Sequence, residues 1–222
     1  MVFSFFFAIF ANSMLDDYKT NKSRVQQFGL TATIKDDSGK EHYFHNGYEY
    51  VEIGGLKWAV TNIGANTEID SGLYFAFGEP KGYTADQVRN GERKFNEKEY
   101  TDANFDAVNA YLGGNWRLPT AAEFQSLLSL ATNKWVENYE GSGVSGRLFA
   151  DKTDSSKKLF FPTAGFCFYN SMEYVDCYGF YWSSSLLGHD VSSGIDFNFG
   201  RGYSSMLSDK RYFGFSVRGV FA

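Results

Sequence analysis

The sequence predicts an α+β fold with irregular connections, and three observations carry that expectation. Short stretches of alternating apolar and polar residues recur along the chain, bounded by Gly, Ser, Asn or Asp, as strands between turns are. A single stretch, 120–131, carries clear helical periodicity. Aromatic residues make up 19% of the 222 residues, with 23 Phe and 15 Tyr against 3 Pro. That is more ring than a core of this size needs, so some rings are expected at a surface, where Tyr beside Ser, Gly and Asn makes an adaptable contact face.

Residues 1–11 are apolar, with Phe3, Phe5, Phe6, Phe7 and Phe10, and are shorter than the roughly 20 residues of a spanning helix. Three readings stay open: a docking or oligomerisation segment, a signal peptide with small residues at Ala11-Asn12-Ser13 but no basic leader, or packing on its own domain. Residues 16–27 are polar, a short helix or a linker. Residues 29–35 alternate as a strand, Asp36-Asp37-Ser38-Gly39 turns, and 41–44 return as the second strand of a hairpin. Asn46-Gly47 turns again before strands at 48–53 and 56–60, split by Gly54-Gly55. Residues 72–78 read as a bounded apolar strand. Residues 79–104 read as a long surface loop with at most a short helix, and 105–112 as a turn or two of helix stopped by Gly113-Gly114.

Thr120 followed by Glu123 is a capping box, and Phe124, Leu127, Leu128 and Ala131 then fall on one buried helix face. Trp135 and Val136 are expected to start a strand. Residues 141–146 turn, 158–161 form a strand, and short strands broken by Gly and Ser run to the end.

Net charge is −5 with acid and base interspersed, so no basic patch invites a phosphate backbone and nucleic acid is not expected as a partner. Cys167 and Cys177 lack metal-ligand spacing and leave two readings, a bridge or two free thiols. His42 and His45, three apart, face opposite sides of a strand, and His189 stands alone. No nucleophile elbow or phosphate loop is present, so neither an enzymatic activity nor a cofactor or metal is expected.

Six phrases occur in order: Trp58-Ala59 with Asn62-Ile63-Gly64-Ala65; Gly72-Leu73-Tyr74-Phe75-Ala76-Phe77-Gly78-Glu79; Trp116-Arg117-Leu118-Pro119-Thr120 with Glu123-Phe124; Phe161-Pro162-Thr163-Ala164-Gly165; Tyr181-Trp182-Ser183-Ser184; and Gly214-Phe215-Ser216-Val217-Arg218. In this the chain, from about residue 48 to 222, resembles the Fibrobacter succinogenes major paralogous domain family, common in Bacteroidetes and their phages. It is similar to the C-type-lectin-like fold of formylglycine-generating-enzyme relatives and of the variable proteins of diversity-generating retroelements. The resemblance implies a domain with few helices, two of them packed on short antiparallel sheets, with the N- and C-terminal strands brought together, preceded here by a small N-terminal extension. The expected organisation is therefore 1–27 apolar segment and linker, 28–47 strand hairpin, and 48–222 C-type-lectin-like ligand-binding domain.

In the variable proteins the last stretch is rewritten by adenine-directed mutagenesis and its side chains form the binding face. The matching positions here are Phe168, Tyr169, Leu186, Leu187, Gly188, His189, Asp190, Asp196, Asn198, Arg201, Tyr203, Tyr212 and Phe213. Gly165, Gly179, Trp182, Ser183, Ser184, Gly214, Val217 and Arg218 are expected as frame, Trp116 as core, and Arg117 and Arg218 as braces on carbonyls or buried acids. A reactive cysteine pair of the formylglycine-generating type finds no matching motif around Cys167 and Cys177, so a degenerate enzyme of that type is the weakest reading. Calcium-dependent lectins of the fold carry signatures absent here, and Glu79-Pro80 is followed by Lys81, a positive charge where an oxygen ligand is needed.

The expectation is a non-enzymatic binding protein whose partner is a host-surface protein or glycan. It would sit on a phage tail or virion, or at a cell surface, oligomerised or attached to the virion through its N-terminal segment. A secreted or surface structural domain of a bacterium is the alternative.

Overall fold

The computed structural model of the protein describes residues 17–96, 105–188 and 190–222, without the side chains of Asp190 and Val191. The apolar segment 1–13, with its three readings, lies outside the described residues. The chain divides at Tyr48/Glu49 into two units.

In the first unit the Asp17 carboxylate accepts the Thr20 amide at 2.9 Å and so caps helix α1 (Tyr18–Gln27), which buries Val25. Strands β1 (Ala32–Lys35) and β2 (Glu41–His45) form the expected hairpin, in register from Ala32↔Phe44 to Lys35↔Glu41. Asp36 organises its turn, accepting the Ser38 hydroxyl at 2.6 Å and the Ser38 and Lys40 amides at 2.9 and 3.0 Å. The bonds from Ser38 and His42 hold its carboxyl well below the usual carboxylate range.

The second unit begins with β3 (Tyr48–Ile53) and β4 (Leu56–Asn62), paired from Tyr50↔Ala59 to Ile53↔Leu56. The last strand, β13 (Arg218–Phe221), lies antiparallel on β4 through Arg218↔Asn62 and Val220↔Trp58, so the two ends of this unit meet. Arg218 secures the join. It is fully buried; its Nε donates to Asn62 Oδ1 at 2.8 Å, its Nη1 to the carbonyls of Ala59 and Val60 at 3.2 and 2.7 Å, and its guanidinium lies 4.5 Å from the Phe161 ring centre.

Residues 72–78 do not form the expected ladder strand. They run extended through the core, held by single bridges Tyr74↔Tyr83 and Phe75↔Phe215, with Tyr74, Phe75, Ala76 and Phe77 all buried. Burial on both sides produces the same apolar run as a central strand, which is why the pattern misleads. Residues 79–96 contain the short helix allowed for them, but they do not all lie at the surface. Thr84 and Gln87 box the start of α2 (Ala85–Arg89), Val88 and Phe95 are fully buried, and Arg93 Nε pairs with Glu79 at 3.0 Å in the interior. A buried pair of opposite charges looks, in composition, like solvated polarity.

Asp106 caps α3 (Ala107–Leu112) and also accepts the Leu118 amide at 2.9 Å. Helix α4 (Ala121–Leu130) has the expected capping box, and Glu123 additionally takes two bonds from Arg117 at 2.8 and 2.5 Å. Ala131 opens β5 (Ala131–Val136) instead of closing the helix, so Trp135 and Val136 end the strand they were expected to start. β5 pairs with β6 (Gly146–Asp151), and β6 with β7 (Lys158–Pro162). β8 (Phe166–Phe168) and β9 (Ser171–Glu173) make a small hairpin.

The C-terminal part departs most from expectation. Strands β10 (Gly179–Leu187), β11 (Asp190–Gly200) and β12 (Tyr203–Lys210) form an antiparallel sheet of 9, 11 and 8 residues, the longest among the described residues, where short broken strands were expected. The β11–β12 ladder runs unbroken through Gly194 and Gly200, although β10 shifts register opposite Gly194, and the glycines make room for rings. A Cβ on Gly194 would come within 2.4 Å of the Phe77 ring, and one on Gly200 within 2.7 Å of the Tyr178 ring. Phe197 and Phe199 of β11 point into one apolar cluster, while Gly194, Asp196, Asn198 and Gly200 take the opposite face, where Asp196 lies beside the buried Trp182.

Three apolar clusters are found among the described residues of the unit. Trp58, Phe124, Phe149, Phe161, Phe197 and Phe199 form the first, Phe75, Phe77, Trp116, Trp182, Phe215 and Val217 the second, and Tyr74, Ala76, Val88, Phe95, Ala164 and Cys167 the third. Trp182 Nε1 donates to the Phe75 carbonyl at 2.9 Å, which satisfies the polar atom of a buried indole. Each such side chain contributes about 1.5–3 kcal/mol by leaving water. Cys167 is buried and Cys177 exposed, and both thiols are free. Among the described residues no helix is long and apolar enough to cross a membrane.

Candidate ligand-binding face

The second cluster does not end at a polar rim. Phe166, Phe180 and Phe213 pack against it half-buried, and from them a chain of ring contacts runs outward. Phe166 stacks on Tyr174 at 5.9 Å and meets Phe213 at 5.1 Å. Phe213 leads to Phe168 at 5.3 Å and Tyr212 at 4.9 Å, and Phe168 to Tyr169 at 4.6 Å. In the other direction Tyr174 meets Tyr178 at 5.5 Å, and Tyr178 meets Tyr203 at 6.2 Å. The outermost rings are exposed: Tyr174 by 58%, Tyr169 by 48% and Tyr203 by 41%. Such continuity of partly exposed rings exceeds what scattered surface aromatics produce.

The backbone beneath them is held against its preference. Tyr169 and Tyr174 both lie at φ 55° and Asp176 at φ 64°, the left-handed region that costs a bulky residue about 1–3 kcal/mol. Other bonds enforce it. Tyr169 and Phe95 exchange two backbone hydrogen bonds at 2.7 and 2.8 Å, the Tyr174 carbonyl accepts the Cys177 and Tyr178 amides at 3.1 Å, and the Asp176 amide donates to the Thr163 carbonyl at 3.0 Å.

No family model, curated protein or solved structure matches the chain.

The residues expected to be displayed fall into several groups. Phe168, Tyr169, Tyr203, Tyr212 and Phe213 belong to the aromatic surface, the first and last two half-buried. Leu186 is half-buried against the second cluster, and Arg201 is exposed and paired with Glu137 at 2.5 Å. Leu187, 43% exposed, stands apart from the rings with Ile195, Met206 and Leu207 in a shallow groove of about 530 Å³ beside the start of α4. His189 lies outside the described residues, and of Asp190 only the backbone, at the start of β11, is described.

Asp196 and Asn198 are corrections: both are buried, at 0% and 3% exposure, and not displayed. The 11-residue strand sets them beside the inner β10 partners Trp182 and Phe180, where an irregular loop would have left them in solvent. Asn198 Oδ1 accepts the Tyr203 hydroxyl at 2.6 Å and fixes that ring. Neither carboxylate oxygen of Asp196 makes a hydrogen bond of ordinary geometry. Burial pushes its pKa up to about 8; the charge of Asp209 adds to this, and weak hydrogen bonding from its own backbone and from Asn198 offsets only part.

Phe166, Tyr174, Tyr178 and Phe180 belong to the surface but were not among the expected site residues. The signal for Tyr174 and Tyr178 was present, two tyrosines in the polar stretch 173–178. Of the expected frame, Trp182, Ser183, Val217 and Arg218 are buried, whereas Ser184 is exposed and joins the frame through its amide on the Pro119 carbonyl at 2.8 Å. A cleft of about 220 Å³ between Phe77, Asp106, Leu118 and Ser184 is smaller than an ordinary small-molecule pocket. Among the described residues no three of His, Cys, Asp and Glu are grouped to hold a metal ion.

Proposed function

We propose that this protein is a non-enzymatic binding protein with a C-type-lectin-like domain, and that the aromatic surface of its C-terminal third is the binding face. The observation that carries the reading is the set of contacting rings from Tyr203 to Tyr169, exposed at its edges and held in part on left-handed tyrosines. Rigid rings present large contact area at low entropic cost, and their hydroxyls accept and donate at the rim. Left-handed bulky residues held by surrounding bonds are enriched at ligand-contact sites. The pairing of β13 with β4 at the join of the unit's ends supports the C-type-lectin-like assignment.

The partner in this reading is a protein or glycan on a host cell, and the protein acts on a phage tail, virion or cell surface, with diversification of the face as in retroelement targets. Sequencing the locus in several isolates tests it. Substitutions gathered at exposed positions between 166 and 213, such as Tyr169, Tyr174 and Tyr203, with Trp182 and Arg218 constant, are the expected result. Substitutions spread evenly over the chain contradict the reading.

A further inference from the structure

The C-terminal sheet, in strand order β10-β11-β12, leaves one of its two edges bare. Along β10 the outer edge is covered. The Trp182 amide donates to the Ser216 carbonyl at 3.1 Å, the Ser184 amide to the Pro119 carbonyl at 2.8 Å, and Gly179 bridges Gly165. Along β12 the ladder partner is β11, in unbroken register from Ser193↔Lys210 to Gly200↔Tyr203. Among the described residues no backbone group outside this ladder bonds to the backbone of residues 204–209. In a ladder every second residue turns its N–H and C=O outward, so this edge presents a row of unpaired donors and acceptors. Natural edges are blunted by proline, a bulge or a charge. Residues 204–208 carry none of these, and the charges of the strand, Asp209 and Lys210, stand at its end.

The same strand borders the shallow groove of about 530 Å³ at the first turn of α4. Ala122 and Gln125 of α4 form one wall, Leu187 and Ile195 the floor, and Met206, Leu207 and Ser208 of β12 the other wall. Side chains of one strand face alone would be alternate residues. Three in succession mean that the groove reaches the β12 backbone. Among the described residues no charged side chain lines it, and Ala122, Gln125, Leu187, Leu207 and Ser208 are exposed.

We infer that β12 and this groove form an interaction surface separate from the aromatic face, which takes an extended segment of a protein partner as an added strand with apolar side chains at alternate positions. An extended polypeptide carries N–H and C=O groups at the spacing of the bare row, which sugars and lipids do not. Its main chain pairs with β12 while every second side chain enters the groove beside Met206 and Ser208. With no charge in the described lining, charge complementarity selects uncharged, apolar side chains there. A second copy of this chain fits less well. Two-fold antiparallel pairing of β12 with itself sets residues of one face beside residues of the same face. On the groove side these are Ser204, Met206 and Ser208, the cross-strand neighbours of Phe199, Phe197 and Ile195. One methionine and two serines leave most of the groove empty, and one strand against one strand is a small contact for a lasting dimer.

The test selects a ribosome-displayed library of linear peptides, with eight randomised positions to match the 8 residues of β12, on the immobilised full chain. Enriched peptides are then labelled and titrated by anisotropy. They should alternate apolar and polar residues, and Ala122→Arg, a long charged side chain from an exposed position of the groove wall, should weaken them about tenfold or more. Gln125→Arg is a second variant at an exposed position of the same wall, and circular dichroism checks that both fold. Amide hydrogen exchange of the full chain with bound peptide reads the geometry. Alternate residues within 204–209 should slow about tenfold or more, and the residues between them, already paired with β11, should not change. A library that yields no enriched peptide, peptides that bind both variants as tightly as the parent, or unchanged exchange along β12 overturns the inference. Peptides lost with Tyr169→Ser and Tyr174→Ser but kept by Ala122→Arg would place the contact on the aromatic face and overturn it as well. A dimer in sedimentation, with the alternating protection already present before peptide is added, would give the edge to a second copy and overturn the separate partner.

Discussion

Asp196 is the residue whose environment departs furthest from what its type prefers, and the departure has a measurable sign. The unfolded chain releases this proton near 3.8, while burial keeps it on the folded chain until about 8. Between those values the folded state binds more protons, so stability falls as pH rises through the window. Asp209 and Glu68, both pushed up by burial, tilt the curve the same way. Asp36 and Asp151 are pushed down by their turn hydrogen bonds, so their contribution is present above the ordinary carboxylate range and is lost on the acid side. Urea titrations of Asp196→Asn should therefore show a flatter profile between pH 4 and 8 and a gain on the order of a few kcal/mol at pH 8. An unchanged slope would mean that the carboxyl is solvated.

At the scale of elements, the join of β4 and β13 rests on one arginine. Arg218→Leu keeps the volume but leaves Asn62 and two carbonyls without their donor in the interior. A loss of about 3 kcal/mol or more is expected in urea unfolding, since several bonds to a charged group disappear together. A loss below about 1 kcal/mol would show that β13 is held by its apolar side chains alone. Elements with local signals were legible: the capping box at Thr120 and Glu123 and the Asp36 turn state their geometry in a few residues. Elements set by distant partners were not. The extended run at Tyr74–Phe77 has only single bridges, and the Glu79–Arg93 pair is buried with the Arg93 guanidinium 4.9 Å from the Phe95 ring centre. The C-terminal sheet was hidden because Gly194 and Gly200 read as breaks until Phe77 and Tyr178 are seen to occupy the space above them.

For the whole molecule, the same reasons divide what the sequence revealed of the site. The aromatic excess and its concentration after residue 160 were visible, and with them Tyr169, Tyr203 and Phe213. The burial of Asp196 and Asn198 depends on the length of β11, and the place of Tyr174 and Tyr178 on a loop that folds back on Phe166, and neither has a local signal in the sequence. We propose that the surface from Tyr169 to Tyr203 binds a partner on a cell. Fluorescently labelled full chain, titrated on a panel of intact bacterial strains, measures this directly, with Tyr169→Ser/Tyr174→Ser set against Tyr43→Ser, an exposed tyrosine of the other unit. Saturable binding to some strains, reduced about a hundredfold by the double substitution and unchanged by Tyr43→Ser, is the expected result. Binding of equal strength by all three proteins would contradict it.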